Sequence, residues 1–234
     1  MNIKHSFFSA NPQLGFLDED ESNHAIRVLR MQEGDFFYLL DGEGHQYTCK
    51  IIEANKKKLR FELMDKVFQE ALVPAIHIAI ALPKSQDRIQ FFLEKVTEIG
   101  ISEITPLLTT NSERTNIKPE KLEKQIIAAM KQSGQMYLPR LNSIEKFHHF
   151  VSNHTEIQKF IAHCEDDPSK SLLKNRLDVN NSCTILIGPE GDFTPEEVIL
   201  AKEKGFKAIS LGPSRLRTET AGIVACHTVR VLSY

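Results

Sequence analysis

Thr184-Ile-Leu-Ile-Gly-Pro-Glu-Gly-Asp-Phe-Thr-Pro-Glu-Glu197 decides how this chain is read, because it turns from strand to loop to helix in one short run. The apolar residues 184–187 predict a buried strand. Gly188 and Gly191 let a ligand approach the backbone without meeting a side chain. Thr194, Pro195 and Glu197 then supply the N-cap, the first-position proline and the capping-box acid of a helix over 194–204, which Gly205 stops. A loop from the C-terminal end of a strand to a helix start is where open α/β sheets bind ligands.

A strand over 206–211 follows, and it opens onto a second loop, Leu211-Gly-Pro-Ser-Arg-Leu-Arg-Thr-Glu-Thr-Ala221. Arg215, Arg217, Thr218, Glu219 and Thr220 crowd this loop just before a mostly apolar helix over 221–232, a dense polar set for a simple connection. Two loops of ligand-binding type thus leave successive strands. The plainer alternatives are a tight turn with solvated acids for the first, and a helix cap by Thr218 or Thr220 with surface arginines for the second. Glu190 and Asp192 would repel a phosphate at the helix start, so a neutral or cationic ligand fits better. Neither a P-loop ending Gly-Lys-Ser/Thr nor a Gly-x-Gly-x-x-Gly fingerprint occurs, which removes the usual support for nucleotide hydrolysis and nicotinamide chemistry.

Working back from these loops, strand alternates with helix as far as Pro74. Apolar runs at 76–82, 104–108 and 157–163 predict buried strands. Ile89, Phe92, Leu93, Val96 and Ile99 recur at helical spacing up to Gly100, and a second helix runs from about 119 to 132 with Leu122, Ile126 and Met130 on one face. Such alternation implies a largely parallel sheet, since parallel strands need crossovers. The polar stretch 165–170 is a loop. Before residues 69–74 the pattern is different: short strands at 36–40, 47–52 and 58–63, an Asp41-Gly-Glu-Gly44 hairpin turn, and a short helix capped by Ser22-Asn23 that carries His24, Ile26, Val28 and Leu29. The expected organisation is a small, mostly β, barrel-like domain over 1–72 and an α/β domain over 73–234.

With 234 residues, 41% of them hydrophobic, the chain can fill one large or two modest cores. Cys49, Cys164, Cys183 and Cys226 are scattered singly, which reads as buried, reduced, structural thiols rather than a zinc site or disulfide scaffold. A net charge of -2 argues against nucleic-acid binding by bulk charge while leaving room for a local basic patch. No apolar run reaches membrane-spanning length and residues 1–5 lead into no leader core, so a cytoplasmic protein is expected.

In these same loops, and in an ordered set of motifs before them, the chain resembles the SPOUT (α/β-knot) RNA methyltransferases, specifically the RsmE family that methylates N3 of a uridine in 16S ribosomal RNA. The motifs are His24-x-x-Arg27-Val-Leu-Arg30, Gly34-Asp35, Asp87-Arg88, Glu94-Lys95, Thr97-Glu-Ile-Gly100, Glu113-Arg-Thr115, Gln132-Ser-Gly134, Leu186-Ile-Gly-Pro-Glu-Gly191, Leu211-Gly212 and Leu216-Arg-Thr-Glu-Thr-Ala221. Two positions depart from the pattern: Asp192 stands where a third glycine is common, and Ser214-Arg215 where arginine and an aliphatic residue are common.

The resemblance implies a PUA-like β-barrel, a trefoil-knotted methyltransferase domain with a mostly parallel sheet, a homodimer, a 16S rRNA or small-subunit substrate, and no metal. It implies S-adenosylmethionine as cofactor, held by Leu186, Ile187, Gly188, Pro189, Glu190, Gly191, Leu211, Gly212, Leu216, Arg217, Thr218, Thr220 and Ala221. Arg114 or Arg217 would stabilise charge on the target base or grip a phosphate; Glu219 is the third catalytic candidate, or orders the cofactor loop. No residue stands out as the base for the N3 proton. His24, Arg27, Arg30, Lys57, Lys58 and Arg60, with Lys56 beside them, are the expected RNA contacts, against the alternative of a solvated strand edge. Methylation of another base or of a ribose 2'-hydroxyl, or a non-catalytic RNA-binding assembly factor, are the rival functions.

Overall fold

Aromatic residues at alternate positions of short strands build the first core. In the computed structural model, which describes residues 3–234, the chain packs as two compact units, residues 3–71 with 130–138 and residues 72–129 with 139–234. Met1 and Asn2, part of the 1–5 stretch read above, lie outside the described residues.

The first unit is a four-stranded sheet of β1 (Ser6–Phe8), β2 (Phe36–Leu40), β3 (His45–Glu53) and β4 (Arg60–Phe68), in that order, antiparallel except that β1 runs parallel to β2. Phe37 stands edge-on to Phe7 and Phe61, with ring centroids 5.1 and 5.5 Å apart, among Leu17, Leu39, Cys49, Ile51 and Leu59. In the turn between β2 and β3, Asp41 accepts hydrogen bonds from the amides of Glu43 (2.8 Å) and His45 (3.0 Å). The expected cap at Ser22-Asn23 is corrected. Asp18 caps the helix α1 (Glu19–Asn23), accepting from the Glu21 amide at 2.8 Å, and a π-helical turn His24–Val28 continues it. Ser22 is buried instead. Its hydroxyl donates to Leu17 O and accepts from Leu59 N, pinning this helical segment to the β3–β4 turn.

All pairings in the second unit's eight-stranded sheet are parallel. Its strands are β5 (Ile76–Ile80), β6 (Glu103–Leu108), β7 (Arg140–Leu141), β8 (Glu145–Lys146), β9 (Gln158–Ala162), β10 (Ser171–Leu172), β11 (Cys183–Ile187) and β12 (Lys207–Ser210). The order is β10-β12-β9-β11-β5-β6-β7, with β8 also on β6. Between strands lie α2 (Gln86–Ile99), α3 (Pro119–Ser133), α4 (Phe147–Asn153) and α5 (Pro195–Glu203), and α6 (Thr218–Leu232) ends the chain. Every residue of β5 and β11 is buried, as expected for strands covered on both faces. On one face Ala79, Ile161 and Leu186 meet Phe147, Phe150, Phe193, Val198 and Phe206.

On the other face α6 packs against β5, β11 and α2, although it follows β12 in the chain. This return needs a close approach. A Cβ built on Gly222 would stand 2.5 Å from Phe92 Cε2 and 3.3 Å from Ile80 Cδ1, so only glycine fits there. Near its C-terminal end, buried Arg230 donates to the carbonyls of Gly100 (2.7 Å) and Val73 (3.3 Å), fixing α6 to the end of α2. Gly222→Val should cost about 1–3 kcal/mol in urea unfolding through overpacking against Phe92; unchanged stability would mean that α6 does not sit this close.

Candidate functional site: a cleft at the carboxyl edge of the parallel sheet

β5 connects through α2 to β6 on one side of the sheet, whereas β11 connects through α5 to β12 on the other. The strand order therefore diverges between β5 and β11, which makes the carboxyl ends of these strands the topological position for a ligand. Both sequence-predicted loops gather at this edge, residues 188–193 after β11 and residues 211–217 after β12. They do not leave neighbouring strands. β9 lies between β11 and β12, and its following residues enter the cleft.

The cleft has two lobes. One, of about 300 Å³, includes Ile187, Gly188, Pro189, Glu190, Asp192, Arg217 and Thr218; the other, of about 480 Å³, includes His163, Lys170, Ser210, Leu211, Gly212 and Ser214. Ala162, Cys164, Arg215, Leu216 and Ala221 line both. Of the residues expected to bind a cofactor, Leu186 does not line either lobe with its side chain. Strand alternation turns its fully buried side chain toward Phe147 and Phe193, while Ile187 faces the cleft. Gly191 sits behind the loop, its carbonyl accepting from Asn111 Nδ2 at 3.2 Å. Thr220 lines an adjoining open surface with Asp87, Arg88, Phe91 and Glu219.

Direct bonds tie the two loops to each other. Thr218 Oγ1 donates to Gly188 O at 3.0 Å, and Arg215 Nη2 to Glu190 O at 3.3 Å. Thr218 and Thr220 are both inside α6, which begins after Arg217 without a side-chain cap, so neither threonine caps the helix. Arg88, from the first turn of α2, stands 3.4 Å from Glu190 Oε1 and 3.7 Å from Glu219 Oε1. Glu219 is buried, and its other oxygen has no hydrogen-bond partner among the described residues. Arg88 was visible only as part of a motif; the fold gives it a bridging place between the loops.

Asp192 is not the solvated acid its sequence position suggests. Its carboxylate accepts from the amides of Phe193 (2.8 Å) and Cys164 (2.7 Å), joining the first loop to the end of β9. Its φ of 62° lies in the left-handed region, where glycine is easiest and aspartate is tolerated. That accounts for aspartate at a position where the family resemblance leads one to expect glycine. Glu190, with Arg88 beside it, and the hydrogen-bonded Asp192 are the two acids that line this lobe. His163, which sequence reasoning missed, borders the cleft, and so does Cys164, which is exposed there rather than buried as expected, because it follows the end of β9 into the cleft. Burial first, then Lys170, lowers the His163 pKa, and among the described residues neither ring nitrogen has a hydrogen-bond partner, although Asp167 Oδ2 lies 3.7 Å from Nε2; burial first, then Asp192, raises that of the Cys164 thiol.

Arg114 lies elsewhere. Its Nε donates to Pro83 O at 3.0 Å and its Nη2 to Lys84 O, and it lines a separate cleft beside α2 and α3. In the first unit His24, Arg27, Arg30, Lys56, Lys57, Lys58 and Arg60 are all exposed. The Ser22–Leu59 bond brings their two segments together. Arg60 pairs with Glu53 at 3.3 Å, and Lys58 Nζ lies 3.9 Å above the Phe16 ring. Among the described residues no group of three or more His, Cys, Asp or Glu could hold a metal ion, and no helix is long and apolar enough to cross a membrane.

Residues 69–230 match the family model of an RNA methyltransferase domain, and residues 17–64 that of an RNA methyltransferase PUA domain. Fold and cleft together define the class: a SPOUT-type RNA methyltransferase with an N-terminal PUA-like unit. The ribosomal RNA small subunit methyltransferase E of a Synechocystis species is 31% identical, over 88% of this chain and 69% of that protein. A probable rRNA-methyltransferase from Porphyromonas gingivalis superposes with a TM-score of 0.91 at 35% identity, covering 99% of this chain and all of that one. A Legionella pneumophila protein solved with the bound cofactor S-adenosylmethionine superposes with a TM-score of 0.83 at 31% identity, covering 93% and 91%. The chain belongs to the ribosomal RNA small subunit methyltransferase E family.

The first loop depends on one buried carboxylate. Glu197 completes the capping box of α5 with Thr194 and also accepts from Thr110 N (2.8 Å) and Thr110 Oγ1 (3.1 Å). Glu197→Ala should lower stability by about 1–3 kcal/mol in urea unfolding, because it loses the cap and leaves the part-buried donors of Thr110 and Thr194 without their acceptor. A loss below about 0.5 kcal/mol would show that water replaces the carboxylate.

Proposed function

We propose that this protein transfers a methyl group from S-adenosylmethionine to N3 of a uridine in 16S rRNA of the small ribosomal subunit, acting in the cytoplasm as a homodimer whose last helix is threaded as a trefoil knot. The observation that carries the reading is the tied pair of loops at the divergence of the sheet, in a chain of this family. The cleft suits the cofactor. Ile187, Leu211 and Leu216 offer apolar contact to an adenine, Gly188, Pro189, Gly212, Thr218 and Ala221 frame the loops, and Glu190 offers the negative charge that a sulfonium prefers to a phosphate. Leu186, Gly191 and Thr220 support the same loops from behind or beside the cleft.

When bound, the cofactor supplies a methyl carbon made electrophilic by its sulfonium. The chain's own residues then have two tasks, alignment and charge. Arg217, at the cleft wall beside the open surface, stabilises negative charge developing on the uracil carbonyls. Glu219, held by Arg88 with one oxygen unpartnered, accepts a hydrogen bond when loop and base are in place. Arg114 is assigned to the RNA rather than to the reacting base, because its cleft is a different one. His24, Arg27, Arg30, Lys57, Lys58 and Arg60 contact phosphates from the PUA-like unit. The homodimer is supported by Phe91 on α2 and Val231 and Leu232 on α6, exposed apolar side chains on two helices that pack together.

Incubation with S-adenosylmethionine and unmodified small subunits or 16S rRNA should yield N3-methyluridine on mass spectrometry of nucleosides. Methylation of another atom would move the protein to a different target, and no methylation of any of these substrates by folded protein would favour an RNA-binding assembly factor. Arg217→Ala should lower kcat/KM by about 100-fold or more while changing stability by less than about 0.5 kcal/mol. Parallel losses of both would mean that Arg217 serves the fold.

A further inference from the structure

The carboxyl edge of the sheet carries a second cleft, of about 370 Å³, between the start of α2 and the loop from β6 to α3. Its floor is Ile89, Ile117 and Leu122, and its polar lining includes three cations, Arg114, Lys118 and Lys121, with no carboxylate among the described residues. Neither lysine has an ion-pair partner among the described residues. Arg114 is already oriented by its bonds to Pro83 O and Lys84 O. The cleft also lies at the first turn of α3, a helix of 15 residues, whose dipole adds to the positive field. Gln86, on the lining, has a buried Nε2 with no acceptor among the described residues. A buried amide donor without a partner costs free energy unless something accepts from it.

We propose that this cleft binds a nucleotide of single-stranded substrate RNA next to the methylated one, its phosphate held by Arg114, Lys118 and Lys121 and its base laid on the aliphatic floor with a carbonyl accepting from Gln86. The inference rests on the reading of the protein as an RNA methyltransferase. A flat apolar floor beside convergent cations suits a nucleotide better than a free inorganic anion, which would leave the floor and the amide unused. The loop that forms the cleft also reaches the cofactor loop: Asn111 donates to the carbonyls of Gly191 (3.2 Å) and Asp192 (3.1 Å), and Thr110 to Glu197. One connection, 109–118, thereby borders both the methyl-donor cleft and the cationic one, so RNA held here lies along the same edge of the sheet.

The test is fluorescence anisotropy with a short uridine-containing single-stranded RNA over a range of salt concentrations, on the full-length protein. Lys118→Gln/Lys121→Gln should weaken binding about tenfold at 0.1 M salt and flatten the slope of log K against log salt by about 1.4, two single-strand phosphate contacts' worth. Gln86→Leu should weaken binding without changing the slope. Lys204→Gln/Lys207→Gln, just before and at the start of β12 and so at the amino edge of the sheet, should change neither. S-adenosylmethionine affinity, measured by calorimetry, should be the same in the Lys118/Lys121 pair as in the unaltered protein. Wild-type affinity and slope in the Lys118/Lys121 pair, an equal loss in the control pair, or a silent Gln86→Leu would each overturn the nucleotide site. If instead binding changes as expected while the unaltered protein makes no methylated nucleoside, the cleft stands and the proposed reaction falls.

Discussion

The hydrogen bond from Thr218 Oγ1 to Gly188 O is the point on which the site depends. Gly188 is the first residue after β11 and Thr218 begins the last helix, which follows β12, and the sheet separates those two strands by inserting β9 between them. A parallel sheet leaves its loops at one edge with backbone groups to satisfy, and a buried hydroxyl that answers one of those carbonyls converts two separate loops into one wall. Arg215 and Arg88 repeat the tie through Glu190, and Asp192 extends it to the end of β9. The cleft is thus built before any ligand enters, which lowers the ordering cost of binding.

This wall holds its place because α6 is fixed at both ends and in the middle. Thr218 anchors its start, Gly222 lets it lie against Phe92 and Ile80, and Arg230 binds the carbonyl that closes α2. Arg230 is a buried cation with no carboxylate among its hydrogen-bond partners. Burial lowers its pKa, and carbonyl oxygens take the place of a counter-ion. Strand and helix faces divide the labour in the same way along β11: Leu186 fills the core under α4 and α5, and Ile187, one residue on, meets the cleft.

Much of this was legible because it is local. The capping box of Thr194 and Glu197, the stop at Gly100 and the first loop are properties of a few neighbouring residues, and the structure has them as read, whereas the second loop, read as 211–221, ends at Arg217 because α6 begins three residues earlier than its apolar run suggests. What was hidden depends on contacts far apart in sequence. Nothing near Ser22 announces that its hydroxyl will serve Leu59 rather than cap a helix. Nothing near Asp192 shows that its carboxylate will accept from Cys164 N at the end of β9. Arg114 and Arg217 are equivalent candidates by residue type, and only the fold separates them into two clefts. The short strands β7, β8 and β10, of two residues each, carry too little periodicity to be seen at all.

We propose the wall of tied loops as the site for S-adenosylmethionine. Equilibrium dialysis of the purified protein against labelled S-adenosylmethionine tests that assignment. Saturable binding of one molecule per chain, displaced by S-adenosylhomocysteine and not by ATP, is the expected result. An absence of saturable binding by folded protein, or displacement by ATP as effective as by S-adenosylhomocysteine, would contradict it.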